Sequence, residues 1–107
     1  MPSQVKHIII DCGSNFSKNF LVLDDSGIAS NITSTTFSAR YKKTFTSNTS
    51  YSFTISKDVA NSIVAISLND TETKNTPAGT YVYVIERTDG SITKRLYEGI
   101  ATFTPTV

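Results

Sequence analysis

The sequence predicts an all-β fold, an immunoglobulin-like antiparallel β-sandwich of about seven to eight strands, in one domain spanning residues 1–107. Three observations predict it. Apolar and polar residues alternate in several short runs, the signature of half-buried strands. Turn signals rich in Gly, Asp, Asn and Ser separate these runs at intervals of about 8–12 residues, as sandwich strands require. No stretch carries the i, i+3, i+4 apolar stripe of an amphipathic helix over a useful length.

Residues 5–10 form a short apolar run before the turn cluster Asp11-Cys12-Gly13-Ser14. Residues 16–23 alternate next, with Phe16, Lys18, Phe20 and Val22 on one face and Leu21 and Leu23 on the other. Asp24-Asp25-Ser26-Gly27 is a turn signal in which Gly27 can take positive φ at no steric cost. Ile28 and Ile32 frame a polar connection. Residues 37–42 turn Phe37, Ala39 and Tyr41 inward and Ser38, Arg40 and Lys42 outward. Residues 43–50 are rich in Thr, Ser and Asn and read as a loop or the end of an exposed hairpin. Residues 51–56 form one strand with Tyr51, Phe53 and Ile55 inward, and residues 63–68 another with Val64, Ile66 and Leu68 inward.

The polar stretch 69–78 ends at Pro77 and has room for about one helical turn, with Asp70 as its cap. Residues 80–87 carry Tyr81, Tyr83 and Ile85 on one face and Val82 and Val84 on the other. Apolar residues on both faces predict a central strand covered, at least in part, on both sides. Asp89-Gly90 between alternating runs predicts a hairpin with a type I′ turn. Residues 92–98 are the return strand. Gly99 marks a bulge, and residues 100–104 continue to Pro105.

Composition narrows the function classes. Ser and Thr fill 30 of the 107 positions, and charged residues only 18 %, against a usual ~25 %. The surface is therefore neutral and rich in hydroxyls. A net charge of +1 is far from the basic field that a nucleic acid or an anionic membrane demands. Arg40, Lys42 and Lys43 are the one basic cluster and read as a solvated strand end. One cysteine, Cys12, rules out an internal disulfide. Residues 1–4 are polar, and the run at 5–10 is short and broken by Lys6 and His7, which predicts no secretory signal and synthesis in a reducing cytoplasm. No apolar segment approaches the ~20 residues of a membrane span. The sequons at Asn15, Asn31, Asn48 and Asn69 follow from a composition rich in Asn, Ser and Thr, and no glycosylation is expected.

Catalytic chemistry has little to stand on. Cys12 and His7 lack an evident third group to orient the base, so a structural thiol is the better reading. One His and one Cys do not make a zinc site, and Asp24-Asp25 is explained by its turn. Glu72, Glu86 and Glu98 are scattered over different elements. No Gly-rich loop leads into a phosphate-binding helix. No cofactor and no enzymatic activity are expected. Tyr41, Tyr51 and Tyr97 are candidates for stacking on sugars or bases, with core or cross-strand packing the commoner role. Tyr81 opens the strongest strand after Gly79-Thr80. In immunoglobulin-like sandwiches a Tyr there bonds back to upstream backbone and pins the corner between sheets.

A series of short motifs, taken in order, resembles a known module. It runs Asp11-Cys12-Gly13-Ser14-Asn15-Phe16, Leu23-Asp24-Asp25-Ser26-Gly27, Asn31-Ile32-Thr33 and Phe37-Ser38-Ala39-Arg40-Tyr41-Lys42. Then come Ala78-Gly79-Thr80-Tyr81-Val82-Tyr83, Asp89-Gly90 and Arg95-Leu96-Tyr97-Glu98-Gly99, with Phe103 and Pro105 at the close. The chain is similar to the small β-sandwich module of tailed-bacteriophage virion proteins, such as the N-terminal domain of baseplate upper proteins and short structural proteins of marine phages. The resemblance covers nearly the whole chain, and the order of the motifs carries it. It implies an immunoglobulin-like sandwich that attaches to other virion proteins and performs no catalysis. It brings no functional residues with it, and the long polar stretch 43–50 departs from it.

The expectation is a virion structural protein, made in the host cytoplasm and acting as an accessory module. Capsid decoration is placed ahead of a baseplate, neck or fibre-attachment role. Its partners would be capsid or tail components or further copies of itself, with no nucleic acid and no membrane. A carbohydrate-binding sandwich that adheres to glycans is the alternative. Contact is expected through sheet edges and loops, because an open edge strand offers backbone groups to a partner. The candidate interface residues are Val5, His7 and Ile9 in the N-terminal run and Lys43, Phe45 and Ser47 in the polar loop.

Overall fold

A computed structural model describes residues 4–23, 27–29, 31–44, 46 and 48–105. The strands are β1 (Gln4–Val5), β2 (Ile8–Asp11), β3 (Phe16–Leu21), β4 (Thr36–Lys42), β5 (Tyr51–Ser52), β6 (Thr54–Asp58), β7 (Ile63–Leu68), β8 (Gly79–Asp89) and β9 (Ile92–Thr104), with one helix, α1 (Asp70–Asn75), before β8. They form a six-stranded sheet in the order β1-β9-β8-β4-β5, with β2 also on β9, and a three-stranded sheet in the order β3-β7-β6. The two sheets pack face to face as a β-sandwich of immunoglobulin-like order, the first strands lying beside the last.

The alternation read from the sequence places the core. Phe37, Ala39 and Tyr41 from β4, Val64, Ile66 and Leu68 from β7, and Tyr81, Tyr83 and Ile85 from β8 are all buried, with Phe20, Val22 and Phe103 among them. Val82 and Val84 are half-buried on the outer face of the large sheet, so the second face of β8 is only partly covered.

There are nine described strands instead of seven or eight, and the difference has a physical origin. Residues 51–56 are not one strand. Tyr51–Ser52 pairs with β4 in the large sheet, and Thr54–Asp58 pairs with β7 in the small one. The chain crosses between sheets at Phe53, whose N–H still donates to Ala39 O at 3.0 Å. Only Phe53 of the expected inward trio is fully buried, while Tyr51 is 38 % exposed. The N-terminal run is likewise two strands, β1 and β2, and both pair with β9 in parallel. The sandwich is therefore antiparallel except along this edge.

Three local expectations shift by a few residues. The bulge lies at Leu96, because Ile85 faces Tyr97 and Glu86 faces Arg95; Gly99 has a different role, described below. The hairpin loop is Gly90-Ser91, since Asp89 pairs with Ile92. Gly90 has φ 62° and Ser91 is not in the positive region, the pattern of a type II′ turn rather than type I′. The helix cap is Asn69 rather than Asp70. Asn69 Oδ1 accepts from Glu72 N and Glu72 Oε1 accepts from Asn69 N, a closed capping box. The turn expected at Asp24-Asp25-Ser26 lies outside the described residues, but Gly27 has φ 79°.

Candidate functional site

The open edge of the large sheet holds three of the predicted interface residues. β1 and β2 keep one register along β9: Val5 faces Glu98 and Ile8 faces Ala101. Between them the ladder is interrupted at Lys6-His7. Lys6 N still donates to Glu98 O at 2.8 Å, but Lys6 O turns inward and accepts the Tyr83 hydroxyl at 2.5 Å. His7 Nδ1 takes over the vacated place by accepting from Ile100 N at 3.1 Å. Gly99 permits this close approach: a Cβ built there would lie 2.0 Å from Lys6 O. Burial pushes the Tyr83 hydroxyl up to about 12, so at neutral pH it is a donor.

The direction of the ladder fixes what the edge presents. Lys6 N and Cys12 N both donate to β9, so even-numbered residues turn their backbone groups to β9. Ile9 and Asp11 turn theirs to solvent, because successive strand residues alternate. Ile9 is 70 % exposed and Val5 63 %. Ile8 and Ile10 occupy the core, which leaves the middle isoleucine of the triplet no inward choice. Ile100 is exposed on the same outer face, and Val82 pairs beside it. An apolar stripe thus runs inward from the edge.

Both edges of the small sheet are protected. Lys18 lies on the core side of edge strand β3, opposite buried Ile66. Lys57 lies on the core side of edge strand β6, opposite buried Val64, and its ammonium donates to Thr33 O and Thr35 O. An inward-side lysine on an edge strand deters a further strand from pairing. β5 is only two residues long. The N-terminal edge has its lysine in the interruption, where the Lys6 ammonium sits 5.7 Å from the Tyr97 ring centre. No lysine stands within β2 itself.

The loop candidates lie elsewhere. Lys43 is exposed, with its ammonium 4.8 Å from the Tyr81 ring centre. It follows β4, three strands from β2, or about 14 Å across the sheet. Phe45 and Ser47 lie outside the described residues. The structure therefore brings Val5, His7 and Ile9 together and leaves Lys43 apart from them.

Tyr81 occupies the corner before β8, and its hydroxyl donates to Pro77 O at 2.8 Å. Beside it Tyr41 shares a hydrogen bond of 2.9 Å with Thr76 Oγ1, and Cys12 Sγ donates to Thr76 O at 3.6 Å. Burial raises both tyrosines above the ordinary phenol value. Cys12 and His7 stand at opposite ends of β2, each engaged with a different partner. Glu72 closes the helix cap, Glu86 pairs with Arg40 and Glu98 with Arg95, both at 3.0 Å. Among the sequon asparagines, Asn15 accepts from Asp70 N, Asn31 from Thr33 N, and Asn69 caps α1. Tyr41 and Tyr97 are buried, so stacking on a sugar or base is open to Tyr51 alone of the three tyrosines named for it.

Beyond the edge, Arg40, Lys42, Val82, Val84, Glu86 and Arg95 line a shallow groove of about 150 Å³ on the outer face. Ile100 and Gly99 are the residues that sequence reasoning did not join to the site, because only the pairing of β1 and β2 with β9 sets them opposite the N-terminal run. No protein-family model matches the chain, and no curated protein matches it in sequence.

Proposed function

We propose that this chain is a non-catalytic contact module, a structural component of a tailed-bacteriophage virion, with capsid decoration ahead of a baseplate, neck or fibre-attachment role. The observation that carries the contact reading is the N-terminal edge. It is an edge whose strand carries no inward-side lysine, and it exposes Val5 and Ile9. The ordered motif series from Asp11-Cys12-Gly13 to Arg95-Leu96-Tyr97-Glu98-Gly99 supports the virion assignment. Mass spectrometry of purified particles tests it. The chain is expected in stoichiometric amount, and Ile9→Lys is expected to remove it from the particle while leaving the soluble fold intact. Absence of the unaltered chain from particles would overturn the reading.

A further inference from the structure

The open edge reads the same in both directions. Ile9 and Asp11 turn backbone N–H and C=O groups to solvent and share the outer face, since Ile8 and Ile10 point into the core; His7 immediately precedes β2, with its ring accepting from Ile100 N. If a second β2 is laid antiparallel along the edge, with a two-fold axis at Ile9, each Ile9 faces the other Ile9. Each His7 then faces the other copy's Asp11. Facing side chains in such a pair stand about 5 Å apart, within reach of a hydrogen bond or an ion pair.

The donors and acceptors match. His7 Nδ1 accepts from Ile100 N, so the ring proton is on Nε2, which can donate. Asp11 Oδ1 accepts from Thr104 Oγ1 at 2.6 Å, and a carboxylate has further acceptor sites to offer. The pairing would form two backbone hydrogen bonds where Ile9 faces Ile9, since alternate facing pairs in an antiparallel ladder exchange both N–H···O bonds. It would cover Ile9, the most exposed large apolar side chain among the described residues. The outer faces of the two large sheets would become one continuous surface.

We infer that the occupant of this edge is a second copy of the chain, joined by antiparallel β2–β2 pairing with His7 opposite Asp11. The inference rests on the proposed role of the edge as a contact surface and names what fills it.

Sedimentation equilibrium of the purified protein from 1 μM to 1 mM tests it. A concentration-dependent dimer is expected. Ile9→Pro should weaken dimerisation at least tenfold, because proline removes an N–H that points to solvent and not to β9. The monomer's melting temperature should barely move. His7→Asp should weaken the dimer through carboxylate facing carboxylate, and His7→Asp combined with Asp11→Lys should restore it. A monomer throughout the range would overturn the inference, as would a dimer untouched by Ile9→Pro. Either result leaves the virion reading to its own test, since particle incorporation is read separately.

Discussion

Four buried tyrosines act as hydrogen-bonding ties as well as core. Tyr83 reaches Lys6 O, Tyr81 reaches Pro77 O, Tyr41 bonds Thr76, and Tyr97 donates to Leu21 O at 2.5 Å across the sandwich. Each joins a sheet to a loop or to the opposite sheet, in a chain that has no disulfide to do so. Removing one hydroxyl leaves its buried partner short of a bond, which costs about 1–3 kcal/mol. Tyr83→Phe is therefore expected to lower stability by about 2 kcal/mol in urea unfolding, with little change in the m-value. Gly99→Ala is expected to cost more, because its Cβ would overlap Lys6 O and Tyr83 Cε1 is already 3.2 Å away. Its specific mark is faster hydrogen exchange in β1 and β2 than in β7. If the amides of β7 exchange equally fast, the Lys6–Gly99 contact is not what holds the edge.

At the scale of elements, α1 is fixed by its cap and by one threonine. Thr73 is fully buried; Gly13 N donates to its Oγ1, which lies 2.8 Å from Ser14 O. The Asp11–Asn15 turn and the helix therefore brace one another beside the Tyr81 corner. Asn69→Ala opens the capping box and is expected to cost about 1 kcal/mol, measured as a drop in thermal midpoint. At the other end Thr35 ties the loop before β4 to the closing hairpin, its hydroxyl donating to Asp89 Oδ1 at 2.5 Å. The Thr35 and Arg87 hydrogen bonds hold the Asp89 carboxyl below its usual value. A lowered value stabilises the fold above the unfolded value of 3.8, and that contribution fades as pH falls through the folded one. Asp89→Asn is expected to flatten the acid limb of the stability curve. An unchanged acid limb would count against the Thr35–Asp89 tie.

The whole molecule has an alkaline limit set by the same tyrosines. Burial raises the hydroxyls of Tyr41, Tyr81, Tyr83 and Tyr97 above 10.0, Tyr83 to about 12. Below pH 10 both folded and unfolded chains keep these protons, and the stabilisation is complete. Between pH 10 and about 12 only the unfolded chain releases them readily, so stability falls. Tyr83 alone accounts for a loss on the order of 2–3 kcal/mol. Tyrosinate absorbance is expected to rise together with loss of β-sheet circular dichroism. Ionisation completed while the sheet signal is intact would contradict this burial.

Period-two alternation determined the all-β class, the inward faces of β4 and β7, and the sharing of one face by Phe20 with Val22 and by Tyr81 with Tyr83 and Ile85, because side-chain direction in a strand is local. Gly90 and the 69–78 stretch likewise announced a hairpin and a helical turn within a residue of their true places. Which strands neighbour one another was decided only in the tertiary structure. The crossing of residues 51–56 between sheets turns on Phe53 facing Ala39 and Ile55 facing Ile66, contacts distant in sequence. The parallel seat of β1 and β2 on β9, with Gly99 making room for Lys6 O, is likewise a pairing of the two ends of the chain. Val5, His7 and Ile9 were legible as an apolar run with a polar break. Their standing as an open edge was not, because an edge is defined by the strand that is missing beside it.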